Sequence, residues 1–432
     1  MRRSRNRAPF RAGWLLLASC VAVTAQAEFL SPDDRQKDFD VFCGFVAASY
    51  AYFDVKATDW PRACAHFAGE ARKAADRDAY IGVLERALGQ LYDSHAHLAT
   101  NTMNSPRLVP TQADVMAGWR DGRAIITDVR RGSAAERAGL QAGQEVLAIN
   151  GKTVAAATAE FEPAFLRSRD PAADDWALRV ALAGRHAASP IRLDIGPDTA
   201  RRRLAYVPDF PEPGRLLDAA VIRGIGYLRV NNSLGTQDLV RDFDSALDSM
   251  AGARALVIDL RDTPSGGTSS VARGIIGRLV DRESPYQRHE LVEEFRDTGI
   301  RRIWTEYVAP RGSFFGGPVV VLVGPWTGSM GEGLAIGLNA VRGAPVLGRP
   351  MARLLGALGE VTLPASGITV RIPVEKLFHV DGRPRESFVP CAIARPDVPG
   401  GDPERDAALA LAERLLATES GPPSPEAAGG CG

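Results

Sequence analysis

Ser329 stands where a nucleophile is useful. The apolar run Pro318-Val319-Val320-Val321-Leu322-Val323 reads as a strand and ends at Gly324-Pro325-Trp326-Thr327-Gly328. Ser329-Met330-Gly331-Glu332-Gly333 then opens a stretch that reads as helix to about Arg342. A serine at a strand-to-helix junction exposes its hydroxyl at the sheet edge. Free backbone N–H groups of the helix N-terminus lie beside it and can hold a developing oxyanion. The same position also suits a serine that merely caps the helix.

A second loop offers a partner. Asp259-Leu260-Arg261-Asp262-Thr263-Pro264-Ser265-Gly266-Gly267-Thr268 follows a buried strand and precedes a helix. Two adjacent glycines let backbone N–H groups approach a ligand closely. No Gly-Lys-Ser/Thr follows, which argues against a nucleotide-phosphate loop. The reading that joins it to Ser329 is an oxyanion hole, with Gly267 or Gly266 giving one N–H and Met330 the other.

His95 and His97, in Leu91-Tyr92-Asp93-Ser94-His95-Ala96-His97-Leu98, are the closely spaced pair among six histidines. A His-x-His pair can bind zinc, but His289 and His379 lie in no context that would complete the ligand set. A general base for Ser329 is the more economical use, and no metal or other cofactor is expected. Glu386, in Asp381-Gly382-Arg383-Pro384-Arg385-Glu386-Ser387, follows the nucleophile segment in a loop that can reach a histidine. It also reads as an ordinary surface glutamate.

These residues need three kinds of scaffold. From about Ser31 to Leu98 apolar residues recur at helical spacing, as in Phe39, Phe42, Phe45 and Val46 and again in Tyr80 to Leu91. From about Arg107 to Asp209 short strands and turns dominate. There Gly132-Ser133-Ala134-Ala135-Glu136-Arg137-Ala138-Gly139-Leu140 followed by Gly143-Gln144-Glu145-Val146-Leu147-Ala148-Ile149-Asn150-Gly151 resembles a bacterial PDZ domain. Such domains bind C-terminal peptide tails along a sheet edge. From about Ala219 strands and helices alternate, which points to an α/β core. Asp406 to Ala417 reads as a closing helix, and the Gly/Pro/Ala/Ser-rich end reads as disordered.

In this order the motifs resemble the C-terminal processing and tricorn-type serine peptidases: Asp-x-His, a PDZ-like module, Asp-Leu-Arg before Gly-Gly, a serine at a helix start, then a downstream Glu and Val-Pro. The resemblance spans about Asp38 to Arg414. It implies an α/β fold with a crotonase-like spiral core, an N-terminal helical cap and an inserted PDZ-like domain. Ser329 becomes the nucleophile, His95 and Glu386 its partners, Ser94 a serine that helps orient the site, and Gly267 with Met330 the oxyanion hole. The processing-protease branch uses a downstream lysine. Here that region reads Gly348-Arg349-Pro350-Met351-Ala352-Arg353, and a permanently charged arginine is a poor base. The tricorn-like Ser-His-Glu set is therefore the closer match. The implied boundaries are 1–27 for a signal peptide, 28–104 for the helical domain, 105–209 for the PDZ-like domain, 210–418 for the catalytic core and 419–432 for the tail.

The bulk numbers are ordinary for a globular protein. The 432 residues are 45% hydrophobic and 24% charged with zero formal net charge, which gives no basis for a nucleic-acid partner. Protein or peptide substrates, engaged through their tails, are the expected partners. Arg2, Arg3, Arg5, Arg7 and Arg11 before Gly13-Trp14-Leu15-Leu16-Leu17-Ala18, with Ala25-Gln26-Ala27 after, read as a secretory signal cleaved after Ala27. Leu17-Ala18-Ser19-Cys20 also resembles a lipobox, so the expected location is the periplasm, soluble or anchored through Cys20. Export permits disulfides, and Cys43, Cys64, Cys391 and Cys431 allow three pairings, of which Cys43–Cys64 is favoured. A different class of function stays open: a non-catalytic peptide-binding scaffold with a vestigial site. So does a metal-dependent hydrolase built on His95 and His97.

Overall fold

The computed structural model describes residues 29–210, 214–393 and 401–419. The segment read as a signal, with Cys20, and the segment read as a tail, from residue 420 and with Cys431, lie outside them.

Three helices open the described chain: α1 (Pro32–Ser49), α2 (Trp60–Lys73) and α3 (Arg77–Gly89). Each starts at an acceptor side chain. Ser31 Oγ, Asp59 Oδ1 and Asp76 Oδ1 take the N–H groups of Asp34, Arg62 and Ala79, relieving donors that have no partner inside the helix. The Cys43–Cys64 disulfide, the pairing favoured from sequence, ties α1 to α2. The helices do not close a core by themselves. Phe39, Phe42, Trp60, Tyr80 and Leu84 pack with Leu363, Ile368, Val370 and Ile372 from near the other end of the chain. Asp38, fully buried, accepts the N–H groups of Ala365 and Ser366 at 2.8 and 2.7 Å, which fastens this seam. The short strand β1 (His97–Leu98) follows.

The PDZ-like region holds β2 (Val115–Arg120), β3 (Arg123–Val129), α4 (Ala134–Arg137), β4 (Glu145–Ile149), β5 (Lys152–Thr153), α5 (Val154–Thr158), α6 (Pro171–Ala183), β6 (Ile191–Ile195) and β7 (Arg202–Tyr206). The sheet order is β2-β3-β4-β6-β7, with β5 on β4. The Asn-Gly turn expected from sequence joins β4 to β5, with φ of 52° at Asn150 and 82° at Gly151.

The remainder comprises β8 (Leu217–Ile222), β9 (Ile225–Val230), α7 (Asp238–Ser249), β10 (Ala255–Asp259), α8 (Ser269–Ile276), β11 (Ser284–Leu291), α9 (Val292–Thr298), β12 (Arg302–Val308), β13 (Val319–Val323), α10 (Met330–Arg342), β14 (Val346–Gly348), β15 (Ala357–Thr362), β16 (Thr369–Phe378) and α11 (Pro403–Glu419). One sheet runs β14-β13-β10-β9-β8, parallel except for β8. Every residue of β10 and β13 is buried, as in a parallel sheet covered on both faces. The helices α7, α8 and α10 cover one face. The other face packs on Ala408, Leu409 and Ala412 of α11, a helix that runs on through Glu419, where the sequence suggested the tail begins. The second sheet, β1-β16-β11-β12 with β15 on β16, is antiparallel. Through β1 it carries the histidine segment, and through the turn before β15 it meets the Ser329 turn.

Candidate active site

Ser329 sits between β13 and α10, as the sequence suggests. Its backbone has φ 49° and ψ −112°, a region that L residues rarely adopt and that costs of order 1–3 kcal/mol unless held. The holding groups are at hand. Ser329 donates its N–H to Glu332 Oε2 at 2.9 Å. Its carbonyl accepts from Gly333 N–H at 3.1 Å and from Arg385 Nη1 at 3.2 Å.

The glycine-pair loop is locked to this turn. Thr263 and Thr327 form a parallel bridge, and both hydroxyls donate to the carbonyl of Leu260. Thr263 N–H reaches the Trp326 carbonyl at 3.0 Å, and Gly328 N–H reaches the Thr263 carbonyl at 3.2 Å. Asn232, which sequence reasoning did not single out, exchanges two hydrogen bonds with Ser265. Gly266 then lies against Ser329: a Cβ there would stand 2.4 Å from Ser329 Cβ and 3.0 Å from its Oγ.

The two glycines divide their tasks. Gly266 donates its N–H to the Thr263 carbonyl at 3.1 Å, so its proton closes the turn and is not free for the oxyanion role that the sequence left open to Gly267 or Gly266. The N–H groups of Gly267 and Met330 find no acceptor among the described residues. Met330 N lies 2.9 Å from the Cβ position of Gly266, and Gly267 is the next residue along that loop.

His95 is 6% exposed. Its backbone N–H donates to Asp93 Oδ1 at 2.9 Å, and its Nδ1 lies 2.7 Å from the Leu355 carbonyl. A carbonyl only accepts, so Nδ1 carries the proton and Nε2 keeps its lone pair. Burial pushes the imidazole pKa down to about 4, against the opposing pull of the Leu355 carbonyl and of Asp93. Asp93 is itself held by Tyr50, whose hydroxyl donates at 2.8 Å. Ser94 is half-buried and lines a cavity of about 290 Å³ with Asp93, Ala96 and His97. His97 spends its Nδ1 on the His95 carbonyl at 2.8 Å. Among the described residues no group of three or more His, Cys, Asp and Glu side chains is placed to hold a metal.

Glu386 departs from expectation. Among the described residues no hydrogen bond joins it to His95, and its Oε2 is buried without a partner. Burial raises its pKa, while Arg385 and Lys376 pull it down. The group that fixes the imidazole is a backbone carbonyl, which leaves no side-chain signature in a sequence. Sequence reasoning missed Glu332; the Ser-x-x-Glu pattern is the signal that could have marked it, though not its contacts to a distant loop.

The PDZ-like region touches the Ser329 segment directly. Trp326 Nε1 donates to the Ala113 carbonyl at 2.7 Å, and the indole packs with Val109, Met116 and Ala183. Arg130 pairs with Asp262, Arg131 with Asp402, and Arg349 with Asp128. Arg349, from the stretch where one peptidase branch carries its lysine, thus joins two regions. The free edge of β2 is also occupied. Trp119 donates its N–H to Asp175 Oδ1 at 2.8 Å, and the Ala117 carbonyl accepts from Arg179 Nε at 3.1 Å. Both side chains come from α6.

Comparison with known proteins gives a consistent picture. Residues 224–389 match peptidase family S41, and residues 125–161 match a PDZ domain. The carboxy-terminal processing protease CtpA of Bacillus subtilis is 24% identical over 270 residues, which is 61% of this chain and 51% of that protein. CtpB of the same organism is 26% identical over 171 residues, 39% of this chain and 32% of that protein. The chain thus spans about half the length, or less, of the curated relatives it matches. Among solved structures, mature CPAF complexed with lactacystin aligns over 90% of this chain and 98% of that one, with a TM-score of 0.57 and 14% identity. The photosystem II D1 C-terminal processing protease aligns over 88% and 97%, with 0.55 and 16%. These likenesses establish a mixed α/β peptidase fold carrying a PDZ domain.

Proposed function

We propose that this chain, which belongs to peptidase family S41, hydrolyses peptide bonds in protein substrates with Ser329 as nucleophile. Ser329 Oγ attacks the scissile carbonyl carbon while His95 Nε2 takes the hydroxyl proton. The tetrahedral oxyanion accepts hydrogen bonds from the N–H groups of Gly267 and Met330, each worth about 3 kcal/mol of barrier. The imidazolium then returns its proton to the leaving amine, and water repeats the sequence on the acyl-enzyme. The Leu355 carbonyl keeps the imidazole in the tautomer that can accept a proton. Glu386, which makes no hydrogen bond to His95 in the resting geometry, is left to favour the imidazolium only as it forms, and Ser94 is next to His95 in the chain. No cofactor is required.

The observation that carries this reading is the strained Ser329 turn pressed onto Gly266, with two unpaired N–H groups beside it. The crotonase-like spiral expected of the core belongs to the same reading, supported by its run of buried parallel strands. For the PDZ unit, the occupied edge of β2 and the Trp326 contact favour a clamp or gate on the nucleophile turn over a receptor that presents a substrate tail. The Cys43–Cys64 disulfide supports an exported, periplasmic protein, soluble or anchored through Cys20. Incubating the full chain and its Ser329→Ala variant with an unfolded protein such as casein, with products read by mass spectrometry, tests the activity. Cleavage by the wild type alone is expected. Equal persistence of substrate with both proteins, if each is folded, favours the non-catalytic scaffold.

A further inference from the structure

Two buried charged side chains lie between the nucleophile and the base, and the mechanism above does not use them. Glu332 is 0% exposed. Its Oε2 accepts N–H groups from Ser329 at 2.9 Å and Leu354 at 3.1 Å, and its Oε1 accepts the N–H of Arg353 at 2.9 Å. Arg385 is 2% exposed. Its Nη1 donates to the Ser329 carbonyl at 3.2 Å, and its Nη2 donates to the carbonyls of Leu354 at 2.7 Å and Gly356 at 3.1 Å.

The pattern is selective. Glu332 takes the amides of residues 353 and 354, and Arg385 takes the carbonyls of 354 and 356. Both also hold Ser329. The carbonyl of Leu355, between the two that Arg385 engages, turns the other way and meets His95 Nδ1. The segment cannot keep this shape by propensity. Arg353 and Gly356 both have φ of 58°, a conformation that costs a non-glycine residue free energy. A buried carboxylate and guanidinium are likewise costly unless their partners are in place. Here every partner belongs either to the nucleophile turn or to the segment that orients the base.

We propose that Glu332 and Arg385 are positioning residues that bracket residues 353–356, so that the Leu355 carbonyl fixes the tautomer of His95 in register with Ser329. The assignment rests on the peptidase reading and gives the bracket the orienting role that the sequence suggests for Glu386. A simple stabilising role would lower the unfolding temperature without altering the state of His95.

The test uses the full chain with Glu332→Gln, Arg385→Lys and Glu386→Gln. A glutamine offers a single acceptor oxygen and turns an NH₂ group toward at least one amide donor. A lysine keeps the charge but has no fork to span three carbonyls. Three readouts are taken: the second-order rate of labelling by a fluorophosphonate, the ¹⁵N spectrum of the histidine ring nitrogens, and the thermal midpoint. Glu332→Gln and Arg385→Lys are expected to label about 10²-fold more slowly, the cost of a misplacement near 1 Å. They should also lose the single Nδ1–H tautomer of His95 while still folded at the assay temperature. Glu386→Gln should keep that tautomer. If one bracket variant does not fold, the other decides. Bracket variants with unchanged labelling and an unchanged His95 spectrum overturn the proposal. A wild type that never labels is instead a failure of the peptidase reading, and the His95 spectra then decide the bracket alone.

Discussion

Replacing Gly266 by alanine should disable the site without dismantling the fold. The added Cβ would stand 2.4 Å from Ser329 Cβ, where ordinary contact begins at 3.4 Å, a shortfall of 3.4 − 2.4 = 1.0 Å. It would also come within 2.9 Å of Met330 N, one of the two free donors. Neither neighbour is the free end of a flexible side chain, so the nucleophile turn or the glycine loop must move by about that ångström. A displacement of this size costs about 10²-fold in rate. The φ of +64° adds a backbone penalty of about 1–2 kcal/mol, and the overpacking costs about 1–3 kcal/mol of stability. Gly224→Ala is the matched control: its φ is +78°, but nothing lies within 4 Å of the added methyl. Fluorophosphonate labelling rates and thermal midpoints of both variants separate strain from collision. Both should lose stability, and Gly266→Ala alone should lose reactivity. A folded Gly266→Ala protein that labels at the wild-type rate would refute the placement of this loop against Ser329.

Other consequences follow from the same geometry. Because burial holds the His95 pKa down to about 4, the base is unprotonated above that pH. In Glu332→Gln, whose bracket no longer titrates, the acid limb of the residual labelling rate should be centred near pH 4, and a midpoint at the ordinary histidine value of 6.5 would contradict the burial argument. The same shift contributes stability that is present above pH 6.5 and lost as pH falls toward 4. Glu332, pushed up to about 7 by burial, acts oppositely, contributing stability present below pH 4.5 and lost as pH rises toward 7. Each shift of 2.5 units (6.5 − 4 for His95, 7 − 4.5 for Glu332) corresponds to about 3 kcal/mol. Denaturant unfolding of His95→Asn should therefore show stability falling between pH 4.5 and 6.5, where the wild type is nearly flat. At the PDZ edge, the wild type should bind dye-labelled C-terminal tail peptides weakly by anisotropy, and Asp175→Asn with Arg179→Ala should bind them more tightly. Tight wild-type binding unaffected by these changes would mean that the β2 edge is not closed by α6. Trp326→Phe should leave folding intact and slow labelling several-fold by releasing Ala113, whereas an unchanged rate would remove the PDZ unit from control of the site.

What could be read from the sequence was local. The Ser329 junction, the glycine pair, the Asn150-Gly151 turn and the Cys43–Cys64 link each depend on residues close together in the chain or on a short list of alternatives. The choice between Gly266 and Gly267 was not legible, because it turns on which N–H the Thr263 carbonyl claims. Nor was the partner of His95, a backbone atom contributed some 260 positions away. Glu332 was passed over, because its meaning lies in its contacts with Arg353 and Leu354 across the loop. Strands β11, β12 and β15 escaped notice because charged and polar residues such as Arg288, Glu290, Arg302 and Glu306 interrupt the apolar alternation. Their pairing is secured by neighbouring strands rather than by their own composition. The helical N-terminal region was legible as helices but not as an incomplete core, since Leu363, Val370 and Ile372 complete it from more than 270 residues away.

The most direct measurement is the mass of the full-length chain after exposure to a serine-reactive fluorophosphonate, with peptide mapping of the adduct. One adduct per chain on the peptide containing Ser329, absent from both Ser329→Ala and His95→Ala, is the result expected of an activated nucleophile with His95 as its base. A folded wild-type protein that takes up no label, or labels at a different serine, would contradict it.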